Sequence, residues 1–115
     1  MSAALIMGAS GDIGEAIAFK LADEGYSLYL HYYKNNKKTL KILQKLQAKY
    51  PKQDFFMVSL DMTKEEMIPS FLEQLFQIDM IIFASGISYY TLVKDMTGQQ
   101  LEELWQIHLK TPILL

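Results

Sequence analysis

An unbroken apolar run, Ala3 to Met7, passes directly into Gly8-Ala9-Ser10-Gly11-Asp12-Ile13-Gly14, and a helical period follows at once. A run without polar alternation fits a strand covered on both faces, as in a parallel sheet between helix layers. The small residues behind it permit a tight turn. Ile13, Ala16, Ile17 and Leu21 then recur at helical spacing, and Gly25 stands where a helix C-cap glycine is expected. Strand, glycine loop and helix in immediate succession leave few folds open.

The same alternation continues along the chain. Ser27 to Tyr32 reads as a second strand, Lys34 to Lys38 as a polar, basic loop, and Phe55 to Leu60 and Met80 to Ala84 as two more strands. Leu40, Leu43, Leu46 and Tyr50 define an amphipathic helix that Pro51 ends. Thr63-Lys64-Glu65-Glu66 has the pattern of a capping box, and Pro69 behind it should kink or restart that helix. Thr97-Gly98-Gln99-Gln100 is a second box, opening a helix with Leu101, Leu104, Trp105, His108 and Leu109 on one face. Strand then helix, four times over, predicts an α/β fold with a doubly wound parallel sheet, in one domain spanning 1–115.

Composition narrows the function. Eleven basic and thirteen acidic side chains, net charge −2, give no electrostatic footprint for nucleic acid or an anionic membrane. No Cys is present, which excludes a disulfide scaffold and a thiolate metal site; no metal is expected. Ser2 to Met7 is too short to span a bilayer and carries no targeting pattern, so a soluble cytoplasmic protein is expected. A mean hydropathy of +0.06 is apolar for 115 residues. Either the strands are buried on both faces or the chain is a piece of something larger.

The glycine loop carries the chemistry. Small residues let backbone N–H groups approach a pyrophosphate, and the following helix N-terminus adds partial positive charge. The competing reading is a tight strand-to-helix turn with no ligand. Asp12 and Glu15 form an Asp-x-x-Glu pair that would cap the helix and set a carboxylate near that anion.

The spacing is not G-x-G-x-x-G. It resembles the T-G-x-x-x-G-x-G loop of the short-chain dehydrogenase/reductase family, with Gly8 and Gly14 on the first and last glycines and Ser10 and Ile13 on common loop residues. Met7 replaces the family Thr and Asp12 the middle Gly. Asp61-Met62-Thr63 occupies the place of the family's adenine-contacting Asp, and Phe83-Ala84-Ser85-Gly86 that of N-N-A-G, of which Gly86 is retained. His108-Leu109-Lys110-Thr111 stands for N-L-x-G; a buried, hydrogen-bonded His108 is the plain reading against a catalytic one. The pattern is similar to a divergent subset near the 3-oxoacyl-carrier-protein reductases, which includes the elongation factor P 5-aminopentanone reductase.

The resemblance implies a Rossmann-type sheet, truncated after about four βα units, as the N-terminal half of the family fold. It implies that Gly8, Ser10, Gly11, Ile13 and Gly14 cradle cofactor phosphates, that Asp61 and Met62 hold adenine, and that Ser85 and Gly86 border the cofactor. Tyr32 to Lys38 contains no acid to accept the ribose hydroxyls of NAD, whereas Lys34 and Lys37 could pair with a 2′-phosphate. NADP(H) is therefore expected, with Lys34 on the 2′-phosphate; a solvated basic loop is the alternative. The family's catalytic Ser and Y-x-x-x-K are expected after Leu115. Tyr33 to Lys37 and Tyr90 to Lys94 match the spacing by chance: the first lies at the end of the second strand, where the ribose end of the cofactor is expected, and the second well upstream of the family's catalytic helix, although Tyr89 and Tyr90 could line the active-site mouth. The parent is then expected to be a homo-oligomer reducing a small-molecule or carrier-bound carbonyl, with this chain alone inactive. The alternatives are a non-catalytic nucleotide-binding or regulatory module and a partner-binding domain without cofactor.

Overall fold

The computed structural model describes residues 2–34, 36–75, 77–84 and 97–107. The element order is β1 (Ala3–Met7), α1 (Asp12–Asp23), β2 (Ser27–Tyr32), α2 (Asn36–Lys49), β3 (Phe55–Ser59), a 3-10 turn (Glu65–Met67), α3 (Ile68–Glu73), β4 (Met80–Phe83) and α4 (Gly98–Trp105). The strands pair in the order β3-β2-β1-β4, every pair parallel. Order and direction together are the expected doubly wound sheet.

All five residues of β1 are buried because the strand separates two cores. Ala4 and Ile6 pack with Ala18, Ala22, Leu28, Leu30, Ile42 and Leu46. Ala3, Leu5 and Met7 face the other side, with Tyr29, Val58, Leu60, Ile68 and Phe71. Alternate residues of one strand therefore feed opposite layers, and no position is left to be polar.

The face of α1 differs from the expected one. Gly14, Ala18 and Ala22 are its buried residues, while Ile13 is 71% exposed and Ala16 is exposed as well. The small residues lie four apart, and they let the helix sit close against β1 and β2. Gly25 takes φ +98°, and its amide and that of Tyr26 donate to Ala22 and Leu21 carbonyls, closing α1 in a Schellman motif.

The expected Lys34–Lys38 loop is shorter, since α2 begins at Asn36. Thr39, Ile42 and Leu46 are its buried residues, and Leu40 is exposed. The box at Thr63 does not form. Its hydroxyl donates to Asp61 Oδ1 at 2.6 Å, and the 3-10 turn starts behind Lys64 without a side-chain cap. Pro69 does restart the helix, lying in the first turn of α3 where a missing N–H does no harm. The Thr97–Gln100 box forms reciprocally, at 3.1 Å and 3.0 Å. His108, Leu109 and the side chains of Leu101, Leu104 and Trp105 lie outside the described residues. Among the described residues no helix is long and apolar enough to cross a membrane.

The Thr39 hydroxyl is fully buried and has no hydrogen-bond partner among the described residues. Thr39→Val keeps the branched shape and removes a desolvated group, so it should stabilise the fold by about 1 kcal/mol. A higher urea midpoint is the expected result; a lower one would mean the hydroxyl is bonded after all.

Candidate functional site

In a parallel sheet every strand delivers the chain that follows it to the same edge, and here the residues behind β1, β2 and β3 and Ala84 behind β4 lie at the C-terminal edge of the strands. A cleft of about 270 Å³ lies there, lined by Gly8, Ser10, Gly11, His31, Tyr32, Tyr33 and Ala84. A second of about 350 Å³, lined in part by Asp61, Lys64, Met67 and Phe71, shares Tyr33 with it.

The loop after β1 is held from within and from β2. Gly8 adopts φ +81°, a left-handed conformation that a side chain would strain. Its carbonyl accepts the Gly11 amide at 3.2 Å, and the Gly11 carbonyl accepts Glu15 at 2.8 Å, the first bond of α1. Gly14 lies beneath Gly8: a Cβ there would stand 3.0 Å from Ala9 Cα and from the Gly8 carbonyl carbon, and closer still to the Gly8 oxygen. Loop and helix thus touch backbone to backbone.

The expected Asp12 cap is absent. Gly11 is the N-cap, no side chain caps α1, and Asp12 is the first helical residue with a fully exposed carboxylate, 3.5 Å from Lys38 Nζ. A side chain already inside the helix cannot fold back onto its first-turn amides as an N-cap residue does. Those amides stay available to an anion in the loop.

His31 is the site residue the sequence reading passed over. It is 3% exposed near the end of β2, takes the Gly8 amide on Nδ1 at 3.0 Å, and lies with Nε2 2.8 Å from the Leu60 carbonyl. The signal was a single imidazole in the otherwise apolar and aromatic SLYLHY. Burial pushes its pKa below 6.5, with the Leu60 hydrogen bond opposing in part. Its neutral form therefore belongs to the folded state. Stability is full above pH 6.5 and declines as pH falls from there toward the folded-state value, because the unfolded chain takes up the proton first. Urea midpoints should drop between about pH 7 and pH 5; a flat profile contradicts this.

Asp61 differs in kind. Burial raises its pKa, but the Thr63 hydroxyl and amide, the Tyr33 hydroxyl and the Lys64 charge outweigh that and hold it below 3.8. Its carboxylate thus contributes stability above pH 3.8 that is lost as pH falls further.

Of the other expected residues, Ser10 and Gly11 line the first cleft with Gly8, whereas Ile13 is on the solvent side of α1. Asp61 belongs to the second cleft, and the Met62 side chain is buried in the core beneath it. Lys34 is exposed, with Nζ 5.0 Å from the Tyr33 ring centroid. Ser85, Gly86, Tyr89 and Tyr90 lie outside the described residues. Tyr32, Tyr33 and Ala84, to which no contact was assigned, line the first cleft as well.

The family described as short chain dehydrogenase matches residues 2–115. The oxidoreductase YmfI of Bacillus subtilis is 32% identical over 97% of this chain and 46% of its own length. The 3-oxoacyl-[acyl-carrier-protein] reductase FabG of Staphylococcus epidermidis is 29% identical over 93% of this chain and 45% of its own. Among solved structures, an alcohol dehydrogenase of Thermococcus sibiricus, complexed with 5-hydroxy-NADP, superposes with TM-score 0.83 and 30% identity, covering 96% of this chain and 48% of that one. This chain spans about half the length of these relatives. The family match runs through the glycine loop, all four strands and α4, and the chain belongs to the short chain dehydrogenase family.

Proposed function

We propose that residues 1–115 form the NADP(H)-binding half of a short-chain oxidoreductase that reduces a carbonyl by hydride transfer. The carrying observation is the uncapped α1 N-terminus behind a glycine loop with no room for a Cβ at Gly14. Such a cradle fits a pyrophosphate, whose oxygens take first-turn amides and the helix dipole. Gly8, Ser10, Gly11, Ile13 and Gly14 would hold it, Ile13 through its backbone, since its side chain points to solvent. Asp61 and the Met62 backbone would meet adenine, with Ser85 and Gly86 completing the border.

The bound cofactor would supply the hydride. The Ser, Tyr and Lys that orient and protonate the substrate would lie outside these residues. Tyr33 and Lys37 do not serve, because the Tyr33 hydroxyl is engaged by Asp61 and Tyr33 stands at the ribose end of the proposed site. The likeness to the 3-oxoacyl-carrier-protein reductase supports a carrier-bound or small carbonyl substrate. The whole protein would work as a cytoplasmic homo-oligomer.

Lys34, beyond the end of β2, would pair with the 2′-phosphate, a contact unavailable to NAD(H). NADPH should bind about tenfold or more tightly than NADH, and Lys34→Ala should remove most of that difference. Equal affinity for the two nucleotides would refute the assignment of the 2′-phosphate to this end of the site.

A further inference from the structure

We propose that His31 is a positioning residue for the bound nucleotide: its neutral ring is a strut fixing the glycine loop against the Leu60–Met62 turn, so that phosphate and adenine ends of the site move as one. The inference rests on the nucleotide reading above and adds to it a nearly buried residue at the back of the first cleft.

The geometry fixes the tautomer. Nδ1 accepts the Gly8 amide, so Nδ1 carries no proton, and the neutral ring must hold its proton on Nε2. That N–H then donates to the Leu60 carbonyl at 2.8 Å. One ring bridges residues 23 positions upstream and 29 downstream of it. The backbone makes the same two connections. The Ala9 amide donates to the His31 carbonyl and the Leu60 amide to the Tyr32 carbonyl, each at 3.2 Å.

What the ring adds is a hold on the Gly8 amide itself. Gly8 is the loop residue in the left-handed conformation, and its carbonyl takes the Gly11 amide and covers Gly14. A shift of Gly8 is therefore passed to Gly11 and Gly14, two of the residues proposed to meet phosphate. From α3 the Phe71 ring stands edge-on at 6.2 Å and 85°, which fixes the plane of the imidazole.

The strut has a chemical weak point. Protonation turns Nδ1 into a donor aimed at the Gly8 N–H, and the bond is replaced by two opposed donors. The groups facing the ring are neutral: the Gly8 amide from the loop, the Leu60 carbonyl behind β3 and the Phe71 edge from α3. The ionisable side chains lining the two clefts beside it are Tyr32, Tyr33, Asp61 and Lys64. Of these, Asp61 is engaged by Thr63 and Tyr33 and is not a partner of the ring. Cofactor affinity should therefore weaken as pH falls through the His31 titration, because the loop loses its link to the turn.

Two variants separate the ends of the strut. His31→Asn retains an acceptor near the Nδ1 position, and His31→Gln retains a donor near the Nε2 position. The experiment measures NADP+ affinity of the full-length protein against pH for wild type and both variants, with circular dichroism to verify the fold. The 2′-phosphate titrates in the same range, so the quantity read is the ratio of wild type to His31→Asn at each pH. That ratio should shift about three- to tenfold on acidification, the worth of one hydrogen bond. At neutral pH His31→Asn should recover most of the wild-type affinity, and His31→Gln should not. A constant ratio across pH, or equal binding by the two variants, would overturn the strut.

A second readout does not need the cofactor. The Gly8 amide resonance in 15N-labelled protein should follow the His31 titration in wild type and be insensitive to it in His31→Asn. If wild type does not bind NADP+, the nucleotide reading fails while this readout still decides on the strut. A Gly8 amide that ignores His31 protonation rejects it, including in the case where His31→Gln fails to fold.

Discussion

Gly14→Ala should cripple this protein at a position where helix propensity alone predicts a gain. Alanine is better than glycine inside a helix by about 1 kcal/mol. Against that, the new methyl would press on the Gly8 carbonyl and stand 3.0 Å from Ala9 Cα, and both neighbours are backbone rather than yielding side-chain tips. Relief requires α1 to lift from the loop. Ala18 and Ala22 would then leave the core they share with Ile6 and Leu28. Overpacking of this kind costs about 1–3 kcal/mol and sometimes more, so the clash outweighs the propensity. Net destabilisation of at least about 2 kcal/mol is expected, with loss of nucleotide binding. Gly11→Ala is the matched control, since its φ of −74° suits any residue and its Cβ would make an ordinary 3.6 Å contact. Denaturation midpoints for the two variants check this; equal midpoints would mean the loop and α1 are not in backbone contact.

Phe71→Ala should be as damaging, for a different reason. With six residues, α3 is too short to persist on its own hydrogen bonds, and its buried residues are Ile68 and Phe71. Phe71 is 1% exposed and packs in the layer with Leu5, Met7 and Tyr29. Truncation leaves a cavity that the short helix cannot close, a loss of about 3–5 kcal/mol. The melting temperature should fall by about 12 °C or more. A fall under about 4 °C would show that α3 is held by something other than this ring.

The fold was legible because β1 sits between two cores. A strand with helices on both faces has no polar positions, so Ala3–Met7 is unmistakable, and the same condition shapes β2. The helix faces were harder to read. In α1 the expectation followed the largest apolar residues, but close approach to a sheet selects the smallest, so Gly14, Ala18 and Ala22 are inside and Ile13 is outside. In α2 the inward stripe passes through Thr39 and Ile42 rather than Leu40.

Local hydrogen-bond competition explains two further departures. Thr63 has the spacing of a cap, yet Asp61 is two residues away and takes its hydroxyl. Asp12 has the side chain of a cap, yet the loop turns one residue earlier, at Gly11. In the candidate site, the tight glycine loop was readable because glycine spacing is set by local backbone geometry. His31 was not, because its partners at Gly8 and Leu60 are far away in sequence and only strand order brings them together.

The proposed nucleotide site is tested most directly by titrating the full-length protein with NADPH and following energy transfer from tryptophan, Trp105 being the one in these 115 residues. Saturation with one nucleotide per chain, abolished by Gly14→Ala, is the predicted result. No saturation at millimolar NADPH, in protein whose circular dichroism shows the α/β fold intact, would contradict it.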